Sequence, residues 1–158
     1  MTANIVELAI KYGEAWASHD PDAIAALHTD DSVFHLHDIS PAGEGRVAVR
    51  EMIAAQLASV PDLRFERVRV HFGGDHFVTE YVMSGTANGH AFTVQGADVF
   101  SVRDLLVARK DSYVDWMAFM RQTGIDPARP AQARTVYAAL TSGPSGDRAA
   151  PLDANTNR

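Results

Sequence analysis

From Leu63 to Trp116 the chain repeats one pattern four times: a run rich in β-branched and aromatic residues, then a short break. The runs are LRFERVRVHF, HFVTEYVMSGT, HAFTVQGADVFSV and LLVARKDSYVDW, separated by GGD, ANG and RD. Strands joined by breaks this short have no room for a crossover, so they pair as an antiparallel meander. A meander with one apolar face needs a second layer to cover it. The residues ahead of it supply that layer. Residues 4–18 place Ile5, Leu8, Tyr12 and Trp16 on one helical stripe. HDPDAIAALH restarts a helix with Asp20 as N-cap and Pro21 at the first helical position. A short strand, Ser32 to His37, and the turn-forming DISPAGEG lead into a third helix, RVAVREMIAAQLASV, stopped by Pro61. MAFMRQTG predicts a last helical turn ending at Gly124. The fold class expected is α+β, with helices on the concave face of an antiparallel sheet.

These elements fill residues 1–124, which form the expected domain. ARPAQARTVYAAL predicts a helical extension over 125–140, with Val136, Tyr137 and Leu140 for docking, and 141–158 reads as a flexible tail. Acidic residues outnumber Lys and Arg by 20 to 14, which disfavours nucleic acid and anionic membrane surfaces as partners. Without cysteine the chain has no disulfide and no thiolate metal site. MTANIVELAIKYGEAW lacks the basic-then-apolar order of a signal peptide, and no run reaches the ~20 apolar residues of a membrane span. A cytoplasmic location is expected.

Within QGADVF, Asp98 falls on the same strand face as Val94, Gly96, Phe100 and Val102. An ionised carboxylate on a core-facing position costs several kcal/mol unless it is partnered. A second carboxylate, Asp115 in KDSYVDW, lies near the end of the last strand. Adjacent strands joined by a tight turn can bring the two together, and paired carboxyls in an apolar cavity suit acid–base chemistry. The alternative is that Asp98 pairs with Arg67 or Arg69 and Asp115 caps the final helix. Tyr12 is a plausible hydroxyl partner for Asp98. Tyr12, Trp16, Phe34, Tyr81, Phe100 and Phe119 are expected to cluster inside. His35 and His37 share one strand face and could ligate zinc or copper if Asp38, Asp31 or His28 supplied a third ligand. They read instead as a polar outer face opposite Phe34 and Leu36, so no metal or other cofactor is expected. Neither lysine, Lys11 or Lys110, stands out as a Schiff-base former. Phosphate-loop and nucleophile-elbow patterns are missing.

WASHDPDAIAALHTDDSVFHLH, GADVFSVRD and the ending YVDWMAFMRQTG resemble the SnoaL-like proteins of the nuclear-transport-factor-2-like superfamily over roughly residues 4–124. The resemblance implies a cone made by a strongly bent sheet wrapped around helices. Ketosteroid isomerase, a relative, would place its helix tyrosine on Tyr12 and its oxyanion aspartate on Asp98, while its base falls on Leu36. The aspartates of limonene epoxide hydrolase fall on Asp98 and Asp115, its water-holding pair on Phe34 and Leu36, and its arginine on Gly96. The SnoaL-like polyketide cyclases keep an acid–base aspartate at the position of Asp115. The resemblance therefore implies cofactor-free acid–base catalysis on a hydrophobic carbonyl compound, of cyclase or isomerase type. Asp115 would be the general acid/base, with Asp98 and Tyr12 stabilising an enolate oxygen. Trp16, Phe34, Leu36, Tyr81 and Phe100 would form the walls. A non-catalytic binding protein and an epoxide hydrolase with an altered water site are the alternatives. A homodimer through the outer sheet face is expected, with Val68, Val70, Val78 and Val82 as its patch.

Overall fold

The computed structural model describes residues 4–126. The expected extension and tail, 125–140 and 141–158, therefore lie almost wholly outside the described residues. Helix α1 spans Ile5–Ala17, α2 Pro21–Ala25, α3 Arg46–Ser59 and α4 Trp116–Gln122. Strands β1 to β6 span His28–Leu36, Gly43–Glu44, Arg64–Phe72, His76–Ala87, His90–Arg103 and Leu106–Val114. The helix starts are set by side chains. The Asn4 side-chain Oδ1 accepts from the Glu7 amide, and the Asp20 carboxylate accepts from those of Asp22 and Ala23, with Pro21 at the first position of α2. The second helix stops at Ala25, so His28, expected to be helical, opens β1 instead. Gly43 and Glu44, read as turn, pair with β1.

Strands β3 to β6 form the antiparallel meander, and the six-stranded sheet runs β2-β1-β6-β5-β4-β3. The sheet is curved and unclosed. β1 lies parallel to β6, a pairing that the meander alone does not imply. It is possible because α3 carries the chain away from β1 before the meander begins. The core between sheet and helices contains Ile24, Phe34, Val49, Ile53, Phe77, Phe100, Val107 and Phe119, each all but solvent-free. Phe77 and Phe100 stack with ring centroids 4.2 Å apart.

Two bulges set which side chains face that core. On β6, Ser101 opposes Arg109 while Val102 opposes Val107, leaving Ala108 as an extra residue. Val107 faces inward before it, and Lys110 and Ser112 face inward after it. On β3, Arg67 opposes Tyr81 and Arg69 opposes Glu80, so Val68 is extra. That bulge divides the expected dimer patch. Val70 turns to the inner face opposite Thr79 and packs against the core, whereas Val68 is exposed.

The β4–β5 turn uses Asn88 and Gly89, both at positive φ, which matches the right-handed strand twist. The β5–β6 turn is one residue later than RD suggests. It uses Asp104 at φ 53° and Leu105 at φ 57°, a left-handed conformation that leucine adopts at a cost. Leu105→Gly should raise stability by about 1 kcal/mol, measured as a higher urea midpoint at unchanged slope.

Candidate functional site

Helix α1 crosses the inner face of the sheet and leaves a cavity of about 720 Å³ beside it. Its wall combines Tyr12 and Trp16 of α1, Phe65 and Arg67 of β3, Tyr81 of β4, Asp98 and Phe100 of β5, and Lys110 of β6. The lining is mainly apolar and aromatic, with a few polar groups, which is the usual make-up of a small-molecule site.

Asp98 is buried on the inner face, as its alternation implies, directly opposite Thr79 and Ser112. Its two contacts come from diagonal neighbours on the flanking strands. The Tyr81 hydroxyl donates to Oδ1 at 2.9 Å, and the Lys110 ammonium stands 3.1 Å from Oδ2. Gly96 makes the first contact possible. It opposes Tyr81, and a Cβ there would lie 2.6–2.8 Å from the tyrosine ring and hydroxyl. The arginine partners considered for Asp98 go elsewhere. Arg67 donates to the Ala9 carbonyl, and Arg69 pairs with Glu80.

Lys110 is 3% exposed and surrounded by rings. Its Nζ lies 4.6 Å from the centroid of Trp16, 4.7 Å from Phe34, 5.5 Å from Tyr12 and 5.7 Å from Phe100. Burial works against the ammonium, but the Asp98 carboxylate and the Tyr12 oxygen outweigh it, and the lysine pKa stands above its ordinary value. Lys110 is therefore a cation at neutral pH. It is an electrostatic donor rather than an amine nucleophile.

Tyr12 does not bond Asp98. Its hydroxyl meets His28 Nε2 at 3.0 Å, and His28 Nδ1 meets Ser32 Oγ at 3.2 Å. Burial, then the positive charges of Lys110 and Arg46, lower the His28 pKa to about 3, so the imidazole is neutral. Burial raises the Tyr12 pKa, with Lys110 pulling partly the other way, so the phenol keeps its proton. The Trp16 indole N–H, buried in the cavity wall, lies toward the Tyr12 oxygen but meets no acceptor at full hydrogen-bond geometry. It is a donor that a ligand oxygen can use.

Asp115 is not brought to Asp98. It lies one residue beyond β6, is exposed, and accepts from the Ala118 amide as N-cap of α4. It stands three residues past Ser112, the residue opposite Asp98, and the Ala108 bulge also puts Tyr113 and the residues in phase with it on the outer face. The carboxylate pair anticipated from sequence is thus replaced by a carboxylate–ammonium pair. Of the expected wall residues, Trp16, Tyr81 and Phe100 line the cavity; Phe34 and Leu36 are buried in the core behind it.

Lys110 and His28 are the residues that sequence reasoning missed. The signal for Lys110 was its rarity, since the sequence has only two lysines. A lysine in a strand reads as outward-facing unless the bulge is known.

A profile for the SnoaL-like domain matches residues 9–110. No curated protein matches the chain in sequence. Among solved structures, a protein with a ketosteroid isomerase-like fold from Catenulispora acidiphila, in complex with trimethylamine, aligns with a TM-score of 0.72 at 22% identity, covering 78% of this chain and 96% of that one. A protein designated a SnoaL-like polyketide cyclase, from Jannaschia sp. CCS1, aligns at 0.69 and 21% identity, covering 78% and 93%. TerC, co-crystallised with polyporic acid, aligns at 0.68 and 16% identity, covering 76% and 98%. These similarities establish the fold.

Two outcomes follow from the placements. Asp115→Ala should cost about 1 kcal/mol through the lost cap and leave ligand binding in the cavity unchanged, read by denaturation and by Trp16 fluorescence. His28 ties stability to pH. The unfolded imidazole protonates near its ordinary 6.5 and the folded one only near 3, so the unfolded chain binds more protons between those values. Stability should fall as pH drops through that window, by roughly 3 kcal/mol from this group at about pH 4. Urea unfolding at neutral and acid pH checks this, and His28→Gln should flatten the dependence.

Proposed function

The chain belongs to the SnoaL-like family, and on that premise we propose that it transfers protons, without a cofactor, on a hydrophobic small molecule bearing a carbonyl or enol group. The observation that carries this reading is the Asp98–Lys110 pair, buried in the wall of an aromatic cavity. Two structural relatives have small molecules bound, trimethylamine in one and polyporic acid in the other, which supports a small-molecule ligand.

The roles follow from charge. The Lys110 ammonium, with the Tyr12 hydroxyl beside it, attracts the substrate oxygen and stabilises the negative charge that develops there as an α-proton leaves. Asp98 takes that proton and returns it, either to another carbon in an isomerase or after ring closure in a cyclase. Each carboxylate oxygen in the pair keeps a lone pair beyond the contact it already makes. The aromatic wall keeps water from quenching the enolate. Asp98 thus takes the base role expected of Asp115, and Lys110 the charge-stabilising role expected of Asp98.

A second reading, binding without turnover, is favoured by one observation: both Asp98 oxygens already have partners, Tyr81 and Lys110. Here the ion pair only orients a ligand. The epoxide-hydrolase reading has less support, since Phe34 and Leu36 are buried core residues rather than water-holding groups.

The test is α-proton exchange of hydrophobic ketones and 1,3-diketones in heavy water, followed by NMR. Asp98→Asn should slow exchange by ~10²-fold or more. Loss of one partner of a buried pair is also destabilising, by about 3–5 kcal/mol. The double variant Asp98→Asn, Lys110→Met separates the two effects, because it should regain stability without regaining exchange. Wild-type protein that binds these ketones, by Trp16 quenching, without accelerating their exchange supports the binding reading instead.

A further inference from the structure

The bulge that turns Lys110 inward turns Asp111 outward, and on the outer face it meets His35 of β1 and His37, one residue beyond that strand. His35 directly opposes Asp111 in the parallel β1–β6 register, and His37 follows on the same face. The His35 and His37 ring centroids are 3.9 Å apart, and His37 Nε2 lies 2.9 Å from Asp111 Oδ1. One ligand atom from each of the three side chains can be chosen so that all lie within 4.8 Å of one another. We propose that His35, His37 and Asp111 form a binding site for a divalent cation of the zinc class on the outer face of the sheet.

Three features hold these side chains in place. Arg109 grips the Asp111 carboxylate with Nε at 2.6 Å from Oδ2 and an Nη at 2.8 Å from Oδ1. Tyr113 stacks on the His37 ring at 4.2 Å and 10°. The Trp116 indole donates to the His37 carbonyl at 2.9 Å. Such supporting contacts fix ligand orientation around metals. All three ligand residues are half-buried rather than fully solvated. Two imidazoles and one carboxylate suit zinc, copper or nickel far better than magnesium or calcium, which prefer oxygen alone. Three protein ligands leave a coordination position open for water or a small anion.

The bound cation would replace the present His37–Asp111 contact, with Asp111 turning one oxygen to the metal and keeping Arg109 on the other. The guanidinium opposes a second positive charge and tempers the affinity. Because the ligands come from the C-terminal end of β1, the residue just past it, and β6, binding clamps those strands together directly behind Phe34 and Lys110. The site is separate from the cavity chemistry and stands or falls independently of it.

Tag-free protein stripped with a chelator and titrated with zinc chloride by calorimetry should bind one equivalent per chain, with a raised melting temperature. His35→Gln and His37→Gln should each weaken binding by roughly 10-fold or more, and Asp111→Asn should weaken it likewise. His71→Gln, at an exposed histidine elsewhere on the sheet, should leave it unchanged. Cobalt(II) should give visible absorption bands in the wild type that both histidine variants lose. No saturable zinc binding, or binding unaltered in the His35 and His37 variants while circular dichroism shows them folded, overturns the proposal.

Discussion

The site depends on one contact, the ion pair between Asp98 and Lys110. Two charges removed from water are tolerated only when each is closely partnered. Asp98 has Lys110 and Tyr81, while Lys110 has Asp98 and four aromatic rings around it. Much of the surrounding sequence serves those requirements. Gly96 clears space for the Tyr81 ring, and Phe34, Phe100 and Trp16 exclude water from the ammonium. His28 is kept neutral in part by the same lysine, which leaves it free to hold the Tyr12 hydroxyl.

The cavity beside the pair joins two kinds of surface. One is the rigid sheet, where strand pairing fixes side chains to their neighbours. The other is α1, which contributes Tyr12 and Trp16 across the gap. Side chains on paired strands and on a packed helix hold their separations better than side chains on loops. This arrangement fits a fold that hosts many chemistries: the sheet carries the charged groups while the walls vary. In this chain the SnoaL-like framework carries a lysine facing an aspartate.

Much of the fold was legible because its signals are local. Asp20 and Pro21 start α2, Pro61 follows α3, and Asn88-Gly89 makes a hairpin turn through backbone preferences that neighbours need not supply. Asp98 was legible for the same reason, since period-two alternation along β5 is unbroken and puts it among Val94 and Phe100. The parallel pairing of β1 with β6 was not. It joins segments more than seventy residues apart, and no local pattern encodes it.

The partner of Asp98 marks the division. The sequence by itself determined that a carboxylate would face the core from β5 and that a tight turn would lead to a neighbouring strand. Without a bulge that turn would set Asp98 opposite Asp111, and Lys110 would point to solvent. The extra residue Ala108 shifts the pairing by one, so Asp98 opposes Ser112 and Lys110 swings inward, while Asp111 joins His35 and His37 outside. A strand's side chains alternate with period two, so one inserted residue exchanges its faces. Whether a strand takes up such an insertion depends on the packing of the whole sheet, and only the tertiary structure decided it.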